Sequence, residues 1–261
     1  MKRKLIAVLV GVALGVAPMT PAFSQQKGAS GYKLSDGVVK IGVLTDLSGL
    51  YSDLSGAGAV LAVKMAIDDF KAMEKGKAFP IELVSADHQN KGDVASNKAR
   101  EWFERDQVDM ITDLVTTSTA LAVMPVAKEK NRITIVNGAA STPITGGKQC
   151  TDTNVHYTYD TYALANGTGK AVVKQGGDTW FFLTADYAFG QALEKDTTAV
   201  VIANGGKVLG SVRHPFPGTD FSSFLLKAQS SGSRTPAPTP PTRSSRRPNS
   251  ASRPSSRWRG C

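Results

Sequence analysis

Runs of β-branched and apolar residues alternate with amphipathic stretches at a regular beat, and this alternation restricts the fold more than any other feature of the chain. Residues 38–45 (VVKIGVLT) read as a strand, and over residues 58–73 the apolar positions Val60, Val63, Ile67 and Phe70 recur on one helical face. Residues 81–86 form the next strand. Ala95, Ala99, Trp102 and Phe103 mark a second helix, 109–113 a third strand, and Ala120, Val123, Met124 and Ala127 a third helical stripe, which Pro125 is expected to kink. Residues 132–137 follow as a fourth strand. Strands separated by helices pair in parallel, since only a crossover returns the chain to the same end of a sheet. The expected class is therefore α/β, with parallel sheets flanked by helices and the strand carboxyl ends gathered on one rim.

Residues 138–153, rich in Gly, Thr and Ser and holding Pro143, interrupt the beat and read as a long surface loop or a crossover between lobes. A second α/β block follows: a helix over 161–175, a strand over 179–185, a helix over 189–203 closed by Asn204-Gly205-Gly206, a strand over 207–214 and a helix over 221–229. Two blocks joined by a loop predict two lobes with a cleft between them. The second block shows two clear strands, and a two-stranded parallel sheet is a poor independent unit. The second lobe is expected to be incomplete. The expected organisation is a first lobe over 25–142, a partial second lobe over 143–232, and two flanking segments that belong to neither.

The N-terminal flank, 1–24, reads as a secretory signal peptide. Lys2-Arg3-Lys4 precede 13 residues of apolar character at 5–17, then Pro21 and a small-residue site at Ala22-Phe23-Ser24. That run is shorter than the roughly 17 residues a membrane span needs, so cleavage, export to the periplasm and no membrane insertion afterwards are expected. The C-terminal flank, 233–261, holds 7 Arg, 7 Ser and 6 Pro, with no Asp, Glu, Val, Ile, Leu or Met. Such a composition builds no core and reads as a disordered tail. It resembles a GC-rich region translated out of frame, and a frame-shifted end is the expectation. The formal net charge of +9 comes from these flanks: without the seven tail arginines and the three N-terminal basic residues, 21 basic residues face 22 acidic ones. A domain so balanced has no electrostatic claim on nucleic acid.

The chemistry that remains is that of a rim. Polar and small residues end each strand of the first block: Thr45-Asp46-Leu47-Ser48-Gly49, Asp87-His88-Gln89-Asn90, Thr116-Thr117-Ser118-Thr119 and Asn137-Gly138-Ala139-Ala140-Ser141-Thr142. Helices that start there offer free N–H groups and a positive dipole end, and with Ser118 or Thr119 as a cap the rim suits a carboxylate or another small anion. Tyr51, Tyr159, Tyr187 and Phe189 fall in loops or at element starts, where aromatics form the apolar walls of a small-molecule cleft. Catalysis finds no template: Gly56-Ala57-Gly58 is followed by Leu61 where a dinucleotide fingerprint needs a third small residue, and no Ser, His and acid form a local set. An exported hydrolase using the Ser-rich rim is the remote alternative. His88, His156 and His214 share no metal-ligand spacing with Cys150, so neither metal nor cofactor is expected. Cys150 and Cys261 are not expected to form a disulfide, because a structureless tail gives no geometry to hold them together.

Taken in order, these segments resemble a known family. Val39-Lys40-Ile41-Gly42-Val43-Leu44 running into Leu47-Ser48-Gly49 carry the likeness, with Asp87 and Asn90 and the helix after Thr116-Thr117-Ser118-Thr119. Asn137-Gly138-Ala139-Ala140-Ser141-Thr142-Pro143, Tyr159-Asp160, Asp186-Tyr187-Ala188-Phe189-Gly190 and Asp220-Phe221-Ser222-Ser223 extend it. Together they are similar to the periplasmic substrate-binding proteins of branched-chain amino-acid-type ABC transporters, the leucine-binding-protein family with the type I periplasmic binding fold. The resemblance implies a non-enzymatic receptor that closes around a branched-chain amino acid or a related small carboxylate, aromatic ones included, and delivers it to an ABC transporter permease. It implies that the Thr116 hydroxyl holds the ligand carboxylate, that Ala139 and Ser141 contact its carboxylate and ammonium ends, and that Phe189 closes the pocket from the second lobe; Ser118 on the rim and the loop aromatics Tyr51 and Tyr187 join them as candidates from the residues themselves. An acidic partner for a ligand ammonium, which the family draws from later in the second lobe, has no counterpart here, and neither has the family's return to the first lobe. A truncated remnant without function is the alternative expectation.

Overall fold

The computed structural model describes residues 36–73 and 80–232. The expected signal segment and the Arg/Ser/Pro tail lie outside the described residues. Five strands, β1 (Val39–Thr45), β2 (Ile81–Asp87), β3 (Met110–Asp113), β4 (Ile133–Val136) and β5 (Asn154–His156), form one sheet in the order β2-β1-β3-β4-β5. Every pairing in it is parallel. The crossovers are the expected helices α1 (Gly56–Ala72), α2 (Gly92–Glu104) and α3 (Thr117–Glu129).

α2 and α3 bury the centre of this sheet. Ala95, Ala99, Trp102 and Phe103 sit at spacings of four, seven and eight along α2 and are all buried, as the stripe predicts. Val123, Met124 and Ala127 of α3 complete the same core with Leu44, Ile111, Leu114 and Val136 from the strands. Pro125 lies on the exposed side of α3, and the helix runs through it. α1 buries less: Ile67 is covered, but Phe70, the last member of its stripe, is exposed.

The stretch 138–153 is more structured than a loop. It contains a short helix, α4 (Thr142–Thr145), and a single 3₁₀ turn at Gly147–Gln149, and leads into β5. β5 joins the first sheet beside β4, with His156 opposite Val136. The first sheet thus uses residues well beyond the expected lobe boundary at 142/143. The expectation for Cys150 and Cys261 turns on Cys261, which lies outside the described residues.

From Asp160 the chain builds the second lobe. The Asp160 carboxylate accepts from the Ala163 N–H at 2.9 Å and starts α5 (Thr161–Leu164), which continues through a π turn (Ala165–Gly169) into α6 (Lys170–Lys174). β6 (Thr179–Ala185) and β7 (Lys207–His214) pair in parallel around α7 (Ala188–Ala203), and α8 (Ser222–Gly232) packs on them. Among the described residues this sheet has two strands, as expected, and both strands stay partly exposed.

Gly42 shows how closely α2 lies on the first sheet: a Cβ there would stand 2.6 Å from the Trp102 ring. Gly42→Ala is expected to force the indole outward and cost about 1–3 kcal/mol. A urea melt of the full chain checks this, and an unchanged midpoint would contradict the packing.

Candidate functional site

Because β1, β2 and β3 run the same way, the residues at or just after their ends meet on one rim, and three of those residues are carboxylates that organise it. Asp46, fully buried, accepts from the N–H groups of Gly49 and Tyr51, both at 2.9 Å, and folds the turn that presents the Tyr51 ring. Asp87 accepts from Leu47 N at 3.0 Å and Ser48 Oγ at 2.5 Å. Partial burial works against its charge, but these donors and Gln89 N hold its pKa below the ordinary value. Asp113 accepts from Ser55 Oγ at 2.6 Å. The rim acids are spent on the loop after β1 and leave the ligand side to other groups.

The end of β3 is strained. Asp113 and Leu114 both adopt positive φ, 82° and 52°, a region that costs a non-glycine residue about 1 kcal/mol or more. This turn delivers Val115 and Thr116 to the start of α3. Thr116 is the N-cap, where a Ser118 or Thr119 cap was expected, and its hydroxyl makes no capping bond; it lies 3.3 Å from Ser118 Oγ and 3.1 Å from Thr119 Oγ1. The first N–H groups of α3 thus keep their dipole and their donor capacity. Next to it, Gly138 lies so close that a Cβ would come within 2.6 Å of Val115 Cα, and Ala139 N donates to Leu114 O at 3.1 Å. The loops after β3 and β4 are zipped into one wall.

Opposite this wall stands the second lobe. Tyr187, the N-cap of α7, brings its hydroxyl to 3.2 Å from that of Tyr51 across the cleft. Its ring stacks on Phe216 at 4.4 Å between centroids and lies 6.0 Å from Phe189. Between the lobes these groups leave a cavity of about 190 Å³ lined by Tyr51, Thr116, Thr117, Ala139, Tyr187 and Phe189, with Leu54, Val115, Gly138, Ala140 and Tyr159 completing it.

Five of the seven residues singled out from sequence meet there: Tyr51, Thr116, Ala139, Tyr187 and Phe189. Ser118 and Ser141 do not line the cavity. Ser118 sits against the start of α2, its carbonyl 3.2 Å from where a Gly92 Cβ would be, and Ser141 is a fully buried N-cap of α4. Thr117 was not singled out, yet it lines the cavity at 1% exposure, and its Oγ1 is buried with no hydrogen-bond partner among the described residues. A buried hydroxyl of this kind is an uncompensated polar group. Its only sequence signal was its place in a Thr/Ser run at a helix start.

A larger cavity of about 430 Å³ lies inside the second lobe beside β6, lined by Trp180, Phe182, Leu183 and Leu193 among others. It shares Tyr187 and Phe189 with the cleft but includes no residue of the first-lobe rim, so of these two the smaller cavity is the one that both lobes build. No group of three or more His, Cys, Asp or Glu residues suited to a metal ion occurs among the described residues.

The sequence model of the periplasmic binding protein family matches residues 38–236. The chain belongs to that family. It is similar to a Leu/Ile/Val-binding protein homologue of Brucella abortus, 26% identical over 202 residues, which cover 76% of this chain and 49% of that one. A periplasmic binding protein of Burkholderia mallei is 58% identical, with a TM-score of 0.71 over 75% of this chain and 51% of the other. The solute-binding protein of an ABC transporter from Rhodopseudomonas palustris HaA2, solved in complex with p-hydroxybenzoic acid, is 27% identical, with a TM-score of 0.64 over 75% of this chain and 52% of that one. These likenesses make the chain a type I periplasmic binding protein of the branched-chain amino-acid ABC family, whose members are extracytoplasmic and non-enzymatic. The chain spans about half the length of the curated relatives it matches. Among the described residues no helix is long and apolar enough to cross a membrane.

Burial in the cleft pushes the Tyr187 phenol pKa up, and the Tyr51 hydroxyl adds to the rise. A phenol whose folded pKa exceeds its unfolded value of about 10 contributes stability that is complete below that pH and is lost as pH rises further. Denaturant melts on either side of that pH should therefore show the wild type losing stability faster than Tyr187→Phe. Equal losses would contradict the buried placement.

Proposed function

We propose that the chain captures a small carboxylate between its lobes, as the ligand-carrying component of an ABC importer acting outside the cytoplasmic membrane, and presents it to the transporter permease. The observation that carries this reading is the unpartnered Thr117 hydroxyl, buried at the start of α3 in the wall of the cavity. A carboxylate there would accept from Thr117 Oγ1 and the Thr116 hydroxyl, and from the free N–H groups of the helix, with the dipole favouring its charge. Tyr51, Tyr159, Tyr187 and Phe189 would hold the apolar body of the ligand. The cavity, about 190 Å³, suits a single ring or a branched aliphatic chain.

The relatives support both kinds of body, since one is named for leucine, isoleucine and valine and another is solved with p-hydroxybenzoic acid. Membership in a family of extracytoplasmic receptors supports the importer role. Closure would work through contacts made in the closed state from both sides, of which the Tyr51–Tyr187 pair is one.

Thr117→Val separates binding from folding. Removing a buried hydroxyl that has no partner should leave stability unchanged or slightly raised. Loss of a charge-assisted hydrogen bond should weaken carboxylate binding about tenfold. Calorimetric titration with benzoate, p-hydroxybenzoate and leucine, beside a thermal melt, measures both. If no carboxylate binds the wild type at millimolar concentration, the reading fails.

A further inference from the structure

His88, the residue after β2, is fully buried at the rim. Its backbone is fixed at both ends: the N–H donates to Thr45 O at 2.8 Å, and the carbonyl accepts from Lys91 N at 2.8 Å. The ring has one hydrogen bond among the described residues, in which Asn90 N donates to Nδ1 at 3.0 Å. A ring nitrogen that accepts carries no proton, so the neutral imidazole holds its proton on Nε2. That second nitrogen is buried and has no partner among the described residues.

The bond to Nδ1 closes a turn that needs holding. Gln89 and Asn90 both take positive φ, 53° and 54°, a region that non-glycine residues keep only where their neighbours fix them. The same turn brings Gln89 N to 2.8 Å from Asp87 Oδ1, which also accepts from Leu47 N, while Asp87 Oδ2 accepts from Ser48 Oγ. One line of hydrogen bonds therefore runs from the imidazole, through the turn and Asp87, to the loop after β1 that carries Tyr51.

Protonation cuts this line at its first bond. Imidazolium bears an N–H on both nitrogens, so Nδ1 can no longer accept from Asn90, and a full charge stands where water does not reach. Burial holds the His88 pKa below its ordinary value of 6.5, although Asp46, Asp113 and Asp87 each pull it upward. These carboxylates come from the loop after β1, the end of β3 and the end of β2, and none of them hydrogen-bonds the ring. Lys91, at the N-cap of α2, directs its ammonium to Gln89 Oε1 at 3.2 Å.

We propose that His88 is an acid-sensitive latch of the first-lobe rim: neutral, it holds the turn after β2, and protonated, it releases that turn and, through Asp87, loosens the loop that presents Tyr51. This goes beyond carboxylate capture by making the proton a second effector of the rim, with mild acid favouring release of whatever the cleft holds. A histidine with a depressed folded pKa contributes stability that is present above its unfolded value of about 6.5 and is lost as pH falls from there through the folded value. Asp87 is held below the ordinary carboxylate range and stays charged through that window.

The test needs no ligand, so this inference and carboxylate capture can fail separately. The full chain is titrated by ¹H–¹⁵N correlation of backbone amides and histidine rings from about pH 7.5 down to about pH 5. At the upper end His88 is expected to carry its proton on Nε2. On acidification the amides of Leu47, Ser48, Gln89 and Asn90 should move together with the His88 ring, at one midpoint below 6.5. Urea melts at about pH 7.5 and about pH 5.5 should show the wild-type midpoint falling with pH. In His88→Gln, whose side-chain oxygen can accept from Asn90 but takes no proton, that fall should shrink by at least about half, whereas His156→Gln and His214→Gln should keep it. An equal fall in a folded His88→Gln variant overturns the latch. So do rim amides that stay still while the ring titrates, a ring that takes no proton before the chain unfolds, or a protonated Nδ1 at neutral pH. Should His88→Gln fail to fold, the wild-type titration decides on the same criteria.

Discussion

The site depends on the common direction of the strands in the first sheet. Parallel pairing of β1 through β5 sends every strand end and every following helix start to the same edge. Loops that would otherwise be independent then stand side by side, and the buried carboxylates of Asp46 and Asp113, with Asp87 beside them, bind the first loop to the ends of three strands. A ligand site follows from this with few further devices. The strained turn at Asp113 and Leu114 brings Thr116 and Thr117 to the rim, and the absent Cβ of Gly138 lets the next loop close the wall. Strain of this sort persists only where the surrounding packing over-determines it, and here Leu114 is fully buried in the core.

The lobes meet through a small number of specific contacts. Asp196 of α7 accepts from Thr142 Oγ1 at 2.7 Å and Thr161 Oγ1 at 2.6 Å through one oxygen, joining α4 to the beginning of the second lobe. Across the mouth, Tyr51 and Tyr187 touch through their hydroxyls, with Phe216 stacked behind. A polar knot on one side and an aromatic contact on the other suit a cleft that opens about the knot and closes at the aromatics, since few contacts need to change between the two states. Tyr51 and Tyr187 also line the cavity, so under the proposed function capture and closure would draw on the same two side chains.

Much of this was legible in the residues. The β-branched runs of β1 to β4, β6 and β7 announce strands, and the buried stripe of α2 announces its face, because both patterns arise from burial on one side. β5 is illegible for the same reason: three residues, Asn154, Val155 and His156, form a strand through pairing at the sheet edge and through Thr134 Oγ1 donating to Asn154 Oδ1 at 2.7 Å. In the site, residue type flagged the hydroxyls of the third strand end but not their directions, so Thr117 lines the cavity where Ser118 was singled out. Gly138, Ala140 and Leu54 contribute backbone or apolar wall, which leaves no chemical mark in a sequence.

The central claim is that a small carboxylate binds at the start of α3, against the wall formed by the loops after β3 and β4. The most direct measurement is a ¹H–¹⁵N titration of the full chain with p-hydroxybenzoate. Saturable shifts concentrated on the backbone amides of Thr117, Ser118, Ala139 and Ala140 are the expected result. Saturable shifts centred instead on the residues around Trp180 and Phe182, or no saturable shift at all, would contradict it.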